Sequence, residues 1–271
     1  MALKIAASTL QRIVSNVEVE RKFNIPPKLA SLLLNSNGKR WPPLRRLRRR
    51  SRTISLEEVD FVALRQSGQL IRDTYYDMED GHLSKLGLWV RQRCINVLPS
   101  DGSSGQAQWN AKVRLAGHFN NSQFVEVDGK ENVSDEVLRI TGSQTRLEDL
   151  QVVSDLQTRR ISWLIIRLMG TNTTPSAKMT VVLDAVTEAE AMGKGKDAFA
   201  HAIGEVELFQ TVVTEGKDND EHEAYRKEVS AQRMEELEAF MLQHRELFPT
   251  SPEPVGKLSA YYTWKANRSQ P

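Results

Sequence analysis

Charged and apolar residues alternate along the segment Val17–Phe23, and this alternation constrains the fold more than any other feature of the sequence. Glu18, Glu20 and Lys22 share one face of a predicted strand, while the opposite face is mainly apolar. Taken alone, such a charged face is typical of a strand with one side in water. The other interpretation is that it lines a cavity. Two carboxylates one strand repeat apart (roughly 6–7 Å) suit a hard cation, and a neighbouring lysine suits phosphate.

Further segments with strand-like alternation follow along the 271-residue chain, several of them with the same charged face. These predicted strands are 72–77, 88–94, 108–115, 124–128, 158–168, 178–186 and 201–209. The signs of charge are segregated, because Glu205 and Glu207 repeat the acid pair and Arg91 and Arg93 form a basic pair. Faces in water should mix their signs. The segregation therefore favours an α+β fold in which a closed antiparallel β-barrel has a polar lumen and helices outside. Charges in such a lumen must be paired or hold ions.

Helical segments are predicted at five places, the first of which is the short apolar run Lys28–Leu34 after two prolines. Ser55–Leu64 begins with an N-cap serine and two glutamates, and Asp135–Leu150 is mixed in composition but favours a helix. Asp218–Phe248 has apolar residues near helical spacing and ends before a proline. Lys257–Lys265 is predicted to be a final strand or a short helix.

Composition excludes several classes of protein. The chain is 39% hydrophobic and its net charge is +2, which does not call for nucleic acid or an acidic membrane. No apolar run approaches the ~18 residues of a membrane span. The single cysteine, Cys94, rules out an intrachain disulfide and fits a reducing compartment. We therefore expect a cytoplasmic protein, with no membrane or nucleic-acid partner and a monomeric state.

Two segments lie outside the predicted barrel. Residues 1–16 form an N-terminal extension that is basic, free of acids and weakly amphipathic, so a mitochondrial transit peptide is the alternative to a frayed terminus. Residues 17–268 form a single domain with a basic insertion at 36–54. Within it, Lys39–Arg52 has eight basic residues and no acid. It is predicted to be a solvated loop, with a nucleic-acid patch or a cationic funnel for an anionic substrate as alternatives.

Eight short strings in order along the chain resemble the CYTH superfamily, the triphosphate tunnel metalloenzymes. The ExExK strand typical of that family matches Glu18-Val-Glu20-Arg-Lys22, and the other matches cover most of the remaining chain. They are DTYYD at 73–77, WVRQR at 89–93, WNAK at 109–112, TRRISW at 158–163, LDAV at 183–186, GEVEL at 204–208 and GKLSAYY at 256–262. Within the family, the strings are most similar to those of thiamine triphosphatases.

The resemblance implies an eight-stranded antiparallel β-barrel that forms a tunnel open at both ends, and it implies a role for each charged lumen position. A magnesium ion, with manganese as an alternative, would be held by carboxylates, namely Glu18, Glu20, Asp184, Glu205 and Glu207. The triphosphate would be held by cations, namely Lys22, Arg91, Arg93, Lys112, Arg160 and Lys257. Two departures from the family pattern are Val182, where animal members carry an acid, and the basic insertion.

Two further residue roles and an expected activity follow from the same resemblance. Lys22 with Tyr75 would form a general-base pair, although Tyr75 could serve only in packing. Trp89 shares a face with Arg91 and would stack on a cationic thiazolium, worth ~0.5–2 kcal/mol, or else pack in the core. The expected activity is metal-dependent hydrolysis of thiamine triphosphate, a small-molecule substrate, to thiamine diphosphate and phosphate. The alternatives are an inorganic triphosphatase and a module that binds polyphosphate or RNA 5′ ends.

Overall fold

The computed structural model describes residues 12–26, 61–98, 105–118, 120–167, 177–189, 198–216 and 218–268. The basic insertion at 36–54 lies outside these ranges, as do the predicted helix 28–34 and the first eleven residues of the N-terminal extension. The described residues form nine strands and four α-helices.

Eight antiparallel strands close into a barrel. The nine described strands, eight of them in the barrel, are β1 (Arg12–Phe23), β2 (Phe61–Arg65), β3 (Gly68–Asp77), β4 (Leu88–Leu98), β5 (Gln108–His118), β6 (Asn121–Asp128), β7 (Gln151–Arg167), β8 (Ala177–Glu188) and β9 (Ala200–Glu215). Around the barrel the order is β7-β3-β4-β5-β6-β1-β9-β8, and β8 pairs with β7 to close the ring. Strand β2 lies outside the ring and pairs only with β7 among the described strands. The predicted fold class is therefore confirmed.

Helices cover the apolar outer faces of the strands. They are α1 (His82–Lys85), α2 (Lys130–Ile140), α3 (Asn219–Gln243) and α4 (Lys257–Arg268), and a short 3-10 helix spans Leu147–Asp149. Helix α3 packs Leu237 and Phe240 against Val17 and Val19 of β1. Helix α2 packs Val133 and Val137 against β4 and β5. None of the helices in the described ranges combines the length and the apolar composition that crossing a membrane requires.

The reversed alternation of β1 follows from this arrangement. Val17, Val19 and Phe23 are fully buried under α3, so the apolar face of the strand points outward to a helix. Glu18 and Lys22 lie on the opposite face and point into the barrel, where each is only 7% exposed. Burying the apolar face contributes about 1.5–3 kcal/mol for each large side chain, and this favours keeping the charges inside.

A close contact joins β1 to β9. Gly204 pairs with Phe23, and a Cβ atom at Gly204 would overlap the Phe23 ring. The ring also packs edge-on against Phe248, with 5.1 Å between centroids. Gly204 therefore leaves the space that the Phe23 ring occupies at the start of the Glu205–Glu207 segment.

Some predicted boundaries are wrong. Strand β1 begins at Arg12 rather than Val17, because its first residues pair with the end of β9. The predicted helix 55–64 is wrong at 61–64, which belong to β2; pairing with β7 and the packing of Phe61 on Phe240 (5.3 Å) override the local helical signals. The predicted helix 135–150 ends at Ile140, and Lys257–Lys265 is helical.

Candidate functional site

One cavity of about 820 Å³, including the part open to solvent, collects the charged side chains of the barrel interior. It brings together every sequence-predicted site residue except Asp184. The predicted residues that line it are Glu18, Glu20, Lys22, Tyr75, Trp89, Arg91, Arg93, Lys112, Arg160, Glu205, Glu207 and Lys257. We call this cavity the tunnel. Its lining comes from seven strands and the first turn of α4, so sequence-distant residues meet there.

Strand β1 contributes two carboxylates that contact lysines. Glu20 Oε1 lies 2.5 Å from Lys22 Nζ, and Glu20 Oε2 lies 3.0 Å from Lys112 Nζ. Lys112 Nζ also contacts Glu18, and Lys22 Nζ lies 3.4 Å from Glu205 Oε1. Lys22 therefore bridges a carboxylate of β1 and one of β9, and Lys112 bridges the two carboxylates of β1. Phosphate oxygens would compete with those carboxylates for the same ammonium groups.

The two glutamates of β1 differ in their pKa. Burial raises the pKa of Glu18 to about 8, and the carboxylates of Glu126, Glu20 and Glu207 add to this effect despite Lys112. Burial acts on Glu20 in the same direction, but Lys112 and Lys22 together lower its pKa below the ordinary value. Burial and neighbouring carboxylates thus disfavour the charged form of Glu18, whereas the two lysines favour the charged form of Glu20.

A second ion-pair cluster centres on Arg160 of β7. Its guanidinium donates two hydrogen bonds to Asp184, at 2.8 and 2.7 Å, and one to Glu207 at 3.1 Å. Glu205 lies 3.6 Å from Arg160 Nη2. Asp184 is completely buried behind Arg160 and does not line the tunnel. Its hydrogen bonds with Arg160 orient the guanidinium. The metal-binding role predicted for Asp184 stays a prediction.

A third cluster centres on Asp73 of β3, which the sequence analysis did not select. Arg93 donates to both Asp73 oxygens, at 2.7 and 2.8 Å, and Lys257 Nζ lies 3.3 Å away. Arg91 Nε lies 3.9 Å from Asp73 and Arg91 Nη2 lies 3.4 Å from Glu126. Burial alone would raise the pKa of Asp73, but Arg91, Arg93 and Lys257 hold it well below the ordinary value. Asp73 therefore holds three cations in place while remaining charged.

Aromatic rings gather where β4, β5 and β6 meet. Trp89 packs edge-on against Phe124, with 5.5 Å between centroids and an interplanar angle of 84°. Lys112 Nζ lies 5.0 Å from the Phe124 centroid, and the Arg114 guanidinium lies 5.5 Å from the Trp89 centroid. Trp89 thus borders the tunnel, as its predicted role in binding the organic group requires, but a cation already lies over its ring.

Lys22 and Tyr75, the predicted general-base pair, both line the tunnel, and Tyr75 is 5% exposed. Burial alone would lower the pKa of Lys22, but Glu20 and Glu205 raise it above the ordinary value. An ammonium with a raised pKa keeps its proton. Lys22 is therefore better suited to donate a hydrogen bond to phosphate than to act as a base.

The chemistry of the tunnel carboxylates suits a hard divalent cation. Glu18, Glu20, Glu205 and Glu207 offer oxygen ligands, which magnesium and manganese prefer. Burial raises the pKa of Glu207 too, with contributions from Glu205 and Glu20, so the neutral form of this acid is favoured, as it is at Glu18. Within the described ranges no three acidic, histidine or cysteine side chains are grouped around one point. Lysines and arginines lie between the carboxylates instead.

Two residues that the sequence analysis missed share a detectable signal, namely Asp73, which is buried behind the tunnel lining, and Arg114, which lines the tunnel. Asp73 precedes Tyr75 by two positions, and Arg114 follows Lys112 by two, so each lies on the same strand face as a predicted site residue. Both residues would have been found by also selecting the charged residue two positions before or after each predicted site residue on a strand.

The chain matches no family model and no curated protein. Solved structures with a similar fold include a candidate adenylyl cyclase from Hippeastrum with a dominant triphosphatase activity. The match has 10% identity, covers 92% of this chain and 95% of that one, and has a TM-score of 0.45. A candidate adenylate cyclase from Bacillus halodurans matches at 14% identity over 92% and 98%, with a TM-score of 0.37. The PH1819 protein from Pyrococcus horikoshii matches at 15% over 82% and 89%, with a TM-score of 0.35. Likenesses at this level carry no conclusion about activity.

Proposed function

We propose that the chain is a member of the CYTH superfamily that hydrolyses the terminal phosphate of a triphosphate held in the tunnel, with the help of a divalent cation. One observation carries the proposal. Seven buried or half-buried lysines and arginines line a single cavity together with four glutamates. A triphosphate with its metal ion has complementary charges, since phosphate oxygens bind lysine and arginine while the metal takes carboxylate oxygens.

The residues of the chain would divide the work. Lys22, Lys112 and Arg160 would exchange their carboxylate contacts for phosphate oxygens, and each charge-assisted hydrogen bond contributes roughly 1.5–3 kcal/mol. Asp73 and Asp184 would keep the arginines oriented behind the substrate. Because phosphoryl transfer has a loose, in-line transition state, such positioning and charge compensation dominate catalysis.

The divalent cation would be held by Glu18, Glu20, Glu205 and Glu207. When bound, it would neutralise charge on the phosphate oxygens and lower the pKa of a coordinated water molecule. A cation there would favour the charged forms of Glu18 and Glu207, whose pKa values are raised by burial and by neighbouring carboxylates.

The triphosphate substrate could carry an organic group or be inorganic, and one observation favours each. Thiamine triphosphate is the candidate that the motifs favour, because they resemble those of thiamine triphosphatases and Trp89 borders the tunnel. Inorganic triphosphate is the second candidate. The observation that favours it is the Arg114 guanidinium over the Trp89 ring, because this cation would repel a thiazolium there.

A phosphate-release assay tests the function. Thiamine triphosphate, tripolyphosphate and ATP are each offered with Mg²⁺, with Mn²⁺ and with EDTA. We expect hydrolysis only with metal, and a roughly hundredfold lower kcat/KM for Lys112→Gln, as for loss of one donor to developing charge. Glu205→Gln tests the metal site, since it should weaken activation by Mg²⁺.

Arg21→Gln is the matched control, because Arg21 lies beside Lys22 in sequence but pairs with Glu238 of α3 outside the barrel. It should retain wild-type activity. Full hydrolysis in EDTA would refute the metal requirement, and wild-type turnover by Lys112→Gln would refute the tunnel as the active site.

A further inference from the structure

Arg114 differs from the other cations of the tunnel. Six lysines and arginines that line the cavity each lie within 4 Å of a carboxylate, namely Lys22, Arg91, Arg93, Lys112, Arg160 and Lys257. Arg114 also lines the cavity, but in the described part of the chain it contacts a ring and no carboxylate. Its charge is therefore available to a ligand.

Local structure holds the Arg114 side chain in place. The Arg114 amide donates a hydrogen bond of 2.8 Å to the Gly87 carbonyl. A Cβ atom at Gly87 would lie 3.2 Å from both Cβ and Nε of Arg114, so the arginine folds closely over a glycine whose positive φ of 85° disfavours other residues. The guanidinium then meets the Trp89 ring, which Phe124 supports edge-on. The arginine is thus positioned before a ligand arrives.

Arg114 extends the row of phosphate-binding cations along β5. It follows Lys112 on the same strand face, and one strand repeat is roughly 6–7 Å. Its cross-strand partner is Phe124, whereas the partner of Lys112 is Glu126. The row therefore continues past the last carboxylate of β6 into the aromatic end of the tunnel.

We propose that Arg114 determines specificity by binding an oxyanion beyond the triphosphate, so that the tunnel prefers inorganic polyphosphate of four or more units over a triphosphate bearing a cationic organic group. This inference rests on the proposed triphosphate site. A chain with a further phosphate places negative charge at the guanidinium. A thiazolium at the same position would meet a like charge next to Trp89.

The test compares tetrapolyphosphate, tripolyphosphate and thiamine triphosphate as substrates of wild-type protein, Arg114→Gln and Arg114→Lys. Loss of one charge-assisted hydrogen bond should lower kcat/KM for tetrapolyphosphate about tenfold to a hundredfold in Arg114→Gln, mainly through KM. The loss should be smaller for tripolyphosphate, and thiamine triphosphate should be turned over at least as well as by wild type. Arg114→Lys should recover part of the loss, because it restores the charge.

Arg139→Gln is the control, since Arg139 is exposed on α2 and pairs with Glu136. It should leave all three substrates unaffected. An equal loss on all three substrates in Arg114→Gln, or a wild-type preference for thiamine triphosphate that this variant keeps, would overturn the proposal.

Binding measured by calorimetry in EDTA separates this proposal from the proposed activity. If wild-type protein hydrolyses none of the substrates, the proposed hydrolysis fails. Tetrapolyphosphate binding that is at least tenfold weaker in Arg114→Gln would still support the role of Arg114, and equal binding by the two proteins would overturn it.

Discussion

Replacing Asp73 with asparagine tests how the cations of the tunnel are held. Asp73 is completely buried, and its carboxylate contacts Arg93 at 2.7 and 2.8 Å, Lys257 at 3.3 Å and Arg91 at 3.9 Å. At an effective dielectric constant of about 20, each such pair attracts with roughly 4–6 kcal/mol before desolvation is counted. Removing one partner of a buried ion pair costs about 3–5 kcal/mol.

Asp73→Asn should therefore lower the free energy of unfolding by about 3 kcal/mol, at the lower end because the amide oxygen can still accept one hydrogen bond from Arg93. For a chain of this size the melting temperature should fall by roughly 6–12 °C. Urea and thermal denaturation measure both quantities. Asp80→Asn is the control, since Asp80 pairs with Lys85 at the exposed surface and should change stability by less than about 1 kcal/mol.

The pH dependence supplies a second measurement of the same contact. The folded pKa of Asp73 is held well below its ordinary value, so its contribution to stability is present above about pH 4 and is lost as the pH falls through the folded pKa. Below about pH 4, the free energy of unfolding should fall less steeply with decreasing pH in Asp73→Asn than in the wild type.

A ligand should also rescue the variant. Without Asp73, three cations lack their shared counter-charge, so tripolyphosphate in EDTA should raise the melting temperature of Asp73→Asn more than that of the wild type. The reasoning is refuted if Asp73→Asn is as stable as Asp80→Asn, or if its stability falls with decreasing pH as steeply as that of the wild type.

Two further predictions concern β1 and its neighbour β9. In EDTA, wild-type stability should fall as the pH rises from about 4.5 to about 8, because the folded protein keeps the Glu18 proton that the unfolded chain releases. Glu18→Gln should flatten this decline in urea titrations, and an unchanged slope would contradict the raised pKa. Gly204→Ala should lower the free energy of unfolding by about 1–3 kcal/mol, because the new methyl group overlaps the Phe23 ring. Adding Phe23→Leu should recover part of that loss, and no recovery would show that the ring contact is not the cause.

The barrel could be predicted because the alternation of its strands is visible locally in the sequence. The ion pairs could not be predicted, because they join residues far apart in the chain. Glu18 and Lys22 reveal a charged strand face within a few residues of sequence, and period two decides which side chains share the lumen. Which acid faces which cation depends on register across the barrel and on where α4 packs, as for Asp73 with Lys257, 184 positions apart. Strand β2 was missed for a similar reason, since its pairing partner on β7 lies about a hundred residues later.

Mutual neutralisation inside the tunnel makes the binding of its two proposed ligands interdependent. Lys22 and Lys112 are held by Glu20, so an anion that recruits these lysines leaves the carboxylate without its counter-ions. A divalent cation that takes Glu20 likewise releases the lysines. Each ligand removes the electrostatic cost of admitting the other, and by linkage the gain in affinity is the same in both directions. The salt bridges within the tunnel would therefore compete with either ligand alone. They would be replaced at low cost only if the cation and the polyphosphate bind together.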